Sequence, residues 1–226
     1  MPYRSLSIEP EHFYHIYNRG NNKEPIFFEP ENYSFFLQRF VKYFPTDKAE
    51  IHAYCLLPNH FHLLVQLLSE LDYSSRMQHF GISFSKSINT RYGRVGHLFQ
   101  GRFKVKHVDS TEYLLHLSRY IHLNPCFARL VEKAEDWEFS SYRDYVPKRK
   151  IPEITESKRR EISGIVQDEM PEVTQAKQTE TSRIYQRPPL TTDFILSHFD
   201  GVEEYREFIE SFADEQIKQM EDQLWK

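Results

Sequence analysis

The stretch Pro58-Asn59-His60-Phe61-His62-Leu63-Leu64-Val65 decides how this chain must be built. Two histidines bracket one aromatic residue and run directly into an apolar segment. In a β-strand side chains alternate between faces, so His60 and His62 share one face and Phe61 takes the other. Neutral imidazoles side by side on one face are a pair of metal ligands. The same spacing arises where one histidine is exposed and the other is hydrogen-bonded. His-x-His alone does not separate these cases, so its neighbours must.

Upstream, residues 51–57 form a strand, and Pro58-Asn59 is a tight connection into a third strand over residues 61–68. Residues 11–18 mix aromatic and β-branched side chains and meet the turn Arg19-Gly20-Asn21-Asn22, giving a first strand. Between them Tyr33, Phe36, Leu37, Phe40, Val41 and Phe44 recur at steps of three and four, which predicts a helix over 29–44 closed by Pro45.

Downstream, residues 72–92 read as a second helix with Met77, Phe80, Phe84 and Ile88 on one side, followed by a glycine-punctuated loop. Residues 102–108 alternate as a fourth strand. One face carries Arg102, Lys104 and Lys106, a row that suits a nucleic-acid backbone and equally suits a self-protecting edge strand. Asp109 and Ser110 are N-cap residues for a third helix, with Glu112 set for a capping box. That helix is expected to end at Asn124, because Pro125 disfavours helical geometry in the residue before it. Leu114, Leu117 and Ile121 form its apolar stripe, flanked by Tyr113, His116, Tyr120 and Asn124 within roughly 80° on the wheel. A tyrosine at such a margin ordinarily packs and keeps its hydroxyl wet.

Bulk properties exclude several classes. No apolar run approaches the roughly 20 residues that span a bilayer, and the N-terminus lacks a signal-peptide pattern. Cys55 and Cys126 are the only cysteines, which rules out a disulfide framework and a four-thiolate zinc site and suits a cytoplasmic protein. The net charge of −4 hides an asymmetry. Residues 1–150 carry 20 Lys and Arg against 16 Asp and Glu, whereas residues 151–226 carry 9 against 17. From Tyr73 to Val108 there is no acidic residue but seven basic ones, Arg76, Lys86, Arg91, Arg94, Arg102, Lys104 and Lys106. This span is either a phosphate-contacting surface or a solvated face. Residues 147–190 have a linker composition, and residues 191–226 regain helical spacing through Phe194, Ile195, Phe199, Tyr205, Phe208, Ile209, Phe212 and Met220. The last segment is a helical appendage whose apolar face needs a partner, in the main domain (residues 1–146) or in another subunit.

Four motifs in order extend the argument: His15-Ile-Tyr-Asn-Arg-Gly20, Leu57-Pro-Asn-His-Phe-His-Leu-Leu64, Gly96-His-Leu-Phe-Gln-Gly-Arg-Phe-Lys104 and Arg119-Tyr-Ile-His-Leu-Asn-Pro125. Over residues 10–146 the chain resembles the HUH-class single-tyrosine transposases, including the REP-associated tyrosine transposases. The resemblance implies an α+β, ferredoxin-like βαββαβα fold with a central antiparallel sheet. It implies His60, His62 and Asn124 as ligands of Mg²⁺ or Mn²⁺, and Tyr120 as nucleophile. Ligand chemistry alone does not choose that metal, since imidazole favours softer ions such as Zn²⁺.

The implied reaction is cleavage of single-stranded or hairpin DNA through a 5′-phosphotyrosine, then rejoining by a 3′-hydroxyl without ATP. A free phenol, with a pKa near 10, needs help from a metal, base or cation to attack at neutral pH. The DNA-contacting candidates are Arg19, Lys23, Arg76, Lys86, Arg91, Arg94, Arg102, Lys104, Lys106 and Arg119. Relatives act as monomers or as homodimers that exchange the tyrosine helix. Among His97, His107, His116 and His122, His116 is expected nearest the site. Two other classes stay open, a catalytically silent DNA- or RNA-binding regulator on the same fold and a zinc-stabilised structural protein.

Overall fold

The structure is a computed structural model that describes residues 8–147 and 187–211. Residues 148–186 of the expected linker, and Phe212 and Met220 of the appendage, lie outside the described residues.

Four strands form one antiparallel sheet: β1 (Phe13–Arg19), β2 (Ala49–Leu57), β3 (His60–Leu67) and β4 (Lys104–Val108), in the order β2-β3-β1-β4. With α1 (Pro30–Tyr43), α2 (Tyr73–Tyr92) and α3 (Thr111–Phe127) they give the expected βαββαβα sequence of elements. The alternation in each strand divides the core in two. One face presents Tyr14, Ile16, Tyr54, Leu56, Phe61, Leu63 and Val65 to α1 and α2, among Phe36, Phe40, Phe80 and Phe84. The other presents Tyr17, Ala53, Cys55, Leu57 and Leu64 to α3. Buried phenylalanines contribute heavily to this half, since truncating any one of Phe36, Phe40, Phe61, Phe80 and Phe84 to alanine costs about 3–5 kcal/mol.

The helix ends follow local chemistry. Asn32 Oδ1 accepts from the backbone N–H of Phe28 and Glu29 at the start of α1. Asp72 caps α2, which ends on Gly93 at φ +61°, a left-handed conformation that favours glycine. Ser110 alone caps α3, its Oγ accepting from Tyr113 N–H at 3.2 Å, so Glu112 sits in the first turn and makes no capping box. The expected end of α3 at Asn124 is also corrected: the helix runs through Pro125 to Phe127. Proline there removes one donor near the helix end, and burial of Asn124 and Pro125 outweighs that loss.

The short helices α4 (Tyr142–Tyr145), α5 (Asp193–Leu196) and α6 (Val202–Glu210) close the α3 face. Ile195, Tyr205 and Ile209 are wholly buried in the same cluster as Leu117 and Ile121, so the appendage finds its partner on α3 of its own chain. A buried polar line ties these pieces together. Tyr205 Oη lies 2.9 Å from His122 Nδ1, and His122 Nε2 lies 2.8 Å from Ser141 Oγ, which also accepts from Tyr54 N–H. Residues 139–141 and Thr191 bond to the outer edge of β2, which is thereby covered. The opposite edge, β4, carries lysines.

Candidate active site

Strand register places the chemistry. Arg19, Tyr17 and Phe13 of β1 pair with His60, His62 and Gln66 of β3, and on the other side Tyr17 and His15 pair with Lys104 and Lys106 of β4. Cross-strand partners share a face, so His60, His62, His15, Tyr17, Lys104 and Lys106 all project toward α3. Phe61 turns the other way, against Phe36.

From α3, Tyr120 and Asn124 come down onto this face. The Tyr120 ring meets His62 edge to face with centroids 5.2 Å apart. Asn124 Oδ1 lies 3.0 Å from His60 Nε2. The His60 and His62 rings are perpendicular with centroids 5.3 Å apart. Four residues selected from two separate motifs therefore form one cluster. Tyr120, His62 and Asn124 are buried, and His60 is half-buried.

Hydrogen bonds fix which way His60 faces. Asn59 Nδ2 donates to the Lys23 carbonyl, so Asn59 Oδ1 is an acceptor toward His60 Nδ1 at 2.7 Å. The neutral ring then carries its proton on Nδ1, and its Nε2 lone pair is directed at Asn124. Two lone pairs 3.0 Å apart repel unless the amide offers its Nδ2 instead or a cation lies between them. Asn124 Nδ2 makes no hydrogen bond among the described residues. The Asn59 clamp depends on Gly20, whose N–H donates to the Asn59 carbonyl at 2.8 Å. A Cβ at Gly20 would overlap the Glu24 carbonyl oxygen, so only glycine lets loop 20–24 close on Asn59.

Electrostatics keep these rings neutral. Burial holds the His60 pKa at about 4; Asn124 opposes the shift and Arg19 adds to it. Burial, with His15 and His60 nearby, holds His62 well below the usual histidine range. Neutral imidazole is the metal-binding form. The described residues hold no group of three His, Cys, Asp or Glu placed for a metal. A metal held between His60 and His62 would need a third ligand of another type, and the Asn124 amide oxygen is a hard donor that would suit Mg²⁺ or Mn²⁺.

The remaining candidates divide. Arg19 lies beside His60 and its Nε donates to Gln100 Oε1 at 3.0 Å. Lys104 stands 5.8 Å from the Tyr17 ring centre and exposed Lys106 stands 4.6 Å from that of Tyr113. Arg102 is exposed just before β4, which starts two residues later than expected. Lys23 is exposed in the loop after β1. Arg76, Arg91 and Arg94 lie on the far side of the sheet, bonded to the Tyr43 carbonyl, Glu29 and Glu24 respectively. Lys86 is exposed on α2 of that side. The acid-free span is thus split between two faces. Arg119 is only 7% exposed, with its guanidinium 3.4 Å from the centre of the Phe208 ring. His116 also turns to Phe208, and the extra histidine at the site is His15, bonded to His62 at 2.9 Å. Only strand register carries that contact, and residue spacing does not encode it.

A cleft of about 710 Å³ between α2 and residues 96–103 lies on the far face and contains none of the four clustered residues.

Comparison with known proteins adds three findings. Residues 10–124 match the family model of IS200-like transposases. A Haemophilus influenzae protein assigned by name to the REP-associated tyrosine transposases is 30% identical over 114 residues, covering 46% of this chain and 65% of that protein. The chain thus spans just under two thirds of that relative's length. A solved REP-associated tyrosine transposase bound to a REP hairpin superposes with a TM-score of 0.52 at 24% identity, over 64% of this chain and 84% of that one. That likeness establishes a shared fold.

Proposed function

Because the chain belongs to the IS200-like transposase family, we propose that it is a metal-dependent DNA strand-transferase acting on single-stranded or hairpin DNA. The observation that carries this reading is the meeting of His62 with Tyr120 and of His60 with Asn124 in one cluster of one chain. The similar structure, a transposase bound to a REP hairpin, supports hairpin DNA as the partner.

In the proposed reaction the Tyr120 oxygen attacks phosphorus in line with the 3′-oxygen. The P–O3′ bond breaks, the phenolic proton leaves for solvent or the departing 3′-oxygen, and a 5′-phosphotyrosine remains. Attack by another strand's 3′-hydroxyl reverses the step and joins the ends, so no ATP is needed. Mg²⁺ or Mn²⁺ held by His60, His62 and Asn124 would supply charge stabilisation at the non-bridging oxygens. Lys104, Lys106, Arg19 and Arg102 on the same face or its rim would follow the phosphates, and Tyr17 and Tyr113 offer rings beside them. Tyr120 is wholly buried, so admission of a phosphate requires α3 or its covering groups to move.

That burial favours a second reading, a regulator that binds DNA without cutting it. One assay separates them. Labelled hairpin DNA is incubated with Mn²⁺ and wild type, Tyr120→Phe or His60→Ala. A denaturant-stable protein–DNA adduct is expected from wild type alone. An adduct from Tyr120→Phe removes Tyr120 as nucleophile, and binding without any adduct favours the regulator.

A further inference from the structure

We infer that His15 is a positioning residue for the metal site, setting the tautomer of His62 through a buried imidazole–imidazole hydrogen bond; this rests on the metal site of the preceding reading. His15 is wholly buried in the middle of β1, with Nε2 2.9 Å from His62 Nδ1. Its ring is nearly coplanar with that of His62, with 23° between the planes and centroids 5.1 Å apart, as an in-plane hydrogen bond requires, and it packs 4.6 Å from the Tyr17 ring.

The bond has one proton to share. A histidine that binds a cation through Nε2 must carry its hydrogen on Nδ1. His62 Nδ1 therefore donates, His15 Nε2 accepts, and the remaining hydrogen of His15 is on Nδ1. The reverse tautomer would place a hydrogen on His62 Nε2 and block that nitrogen as a ligand. His60 is handled in the same way by a different residue, since Asn59 Oδ1 holds its Nδ1–H. Each histidine of the pair thus has a partner on Nδ1, one from the β2–β3 turn and one from β1. Such outer partners commonly change metal affinity by about 10- to 100-fold.

The test uses the full chain with Mn²⁺ as probe. His15→Phe keeps an aromatic ring, slightly larger, and removes the acceptor, whereas His15→Gln restores an acceptor near the Nε2 position. Calorimetric titration should show Mn²⁺ affinity about 10- to 100-fold weaker for His15→Phe and within several-fold of wild type for His15→Gln. Thermal melts without metal verify that both are folded. Nitrogen NMR of metal-free wild type should find His62 protonated on Nδ1. Finding the hydrogen on Nε2 overturns the proposal, as does wild-type affinity in a folded His15→Phe. His60→Ala and His62→Ala separate the two levels of argument. If they leave Mn²⁺ binding intact, or if wild type binds no Mn²⁺, the metal site itself fails and the role of His15 falls with it. If they abolish binding while His15→Phe does not, only the positioning role fails.

Discussion

His60 Nε2 and Asn124 Oδ1 stand 3.0 Å apart, joining the first residue of β3 to the last turn of α3 across 64 positions of chain. Both atoms carry lone pairs once Asn59 holds the proton of His60 on Nδ1, which is the arrangement the proposed cation site requires. Asn124→Ala is expected to weaken Mn²⁺ binding by about tenfold or more, and Asn124→Asp to retain or strengthen it by adding charge. Titration calorimetry reads both. Equal affinity for wild type and Asn124→Ala would remove Asn124 from the ligand set.

The lysines of β4 and the arginines beside α2 belong to one acid-free stretch but face opposite ways. Replacing both Lys104 and Lys106 by alanine should lower the salt-dependence slope of hairpin-DNA binding by about 1.4 to 1.8, since each phosphate contact contributes roughly 0.7 to 0.9. Replacing Arg91 and Arg94, which pair with Glu29 and Glu24, should leave that slope unchanged. Binding measured from low to moderate salt makes the comparison, and a larger effect from the arginine pair would reverse the assignment of faces.

Tyr205 fastens α6 to α3 by its hydroxyl, which reaches both His122 and Ser118. Tyr205→Phe keeps the ring and leaves a buried imidazole nitrogen unsatisfied, a loss of about 1–3 kcal/mol. Denaturant unfolding should register it at neutral pH. An unchanged midpoint and slope would mean that the hydroxyl contributes nothing net.

Acid should destabilise the fold. Burial holds His122 at about 3, and burial reinforced by Lys106 holds His15 at about 3, both below the ordinary 6.5. A histidine with a depressed folded-state pKa takes up its proton more readily when unfolded. Its contribution is complete above pH 6.5 and is lost as pH falls from 6.5 toward 3, by at most about 1.4 kcal/mol per pH unit for each group. Thermal midpoints between pH 7.5 and 4.5 should fall for wild type and fall less steeply for His122→Gln. Parallel profiles would exclude His122 as a source of the slope.

Much of the site is legible because local periodicity is enough to place it. Alternation from His60 onward puts His60 and His62 together, and the helical step from 120 to 124 puts Tyr120 and Asn124 one turn apart. The glycine of Arg19-Gly20-Asn21 reads only as a turn, yet its role is to let a loop clamp Asn59. Arg119 reads as a surface cation because it adjoins Tyr120, and it is covered by Phe208 from a segment about ninety residues away. Pro125 reads as a stop signal because local sterics disfavour helix before it, and packing of Asn124 and Pro125 overrides that preference.

Family resemblance joined the two pairs into one site; the sequence by itself determined the element order, the faces of each strand and helix, and the pairings of His60 with His62 and of Tyr120 with Asn124. Those properties repeat every two or 3.6 residues and need no knowledge of distant neighbours. The tertiary structure alone decided that His15 touches His62, that Lys104 and Lys106 look toward Tyr120 while Arg91 and Arg94 do not, and that α6 seals α3. Each of these depends on which strands pair, in what register, and which helix covers which face. Register is set by burial of one whole face at once, a cooperative property that no local window of residues contains.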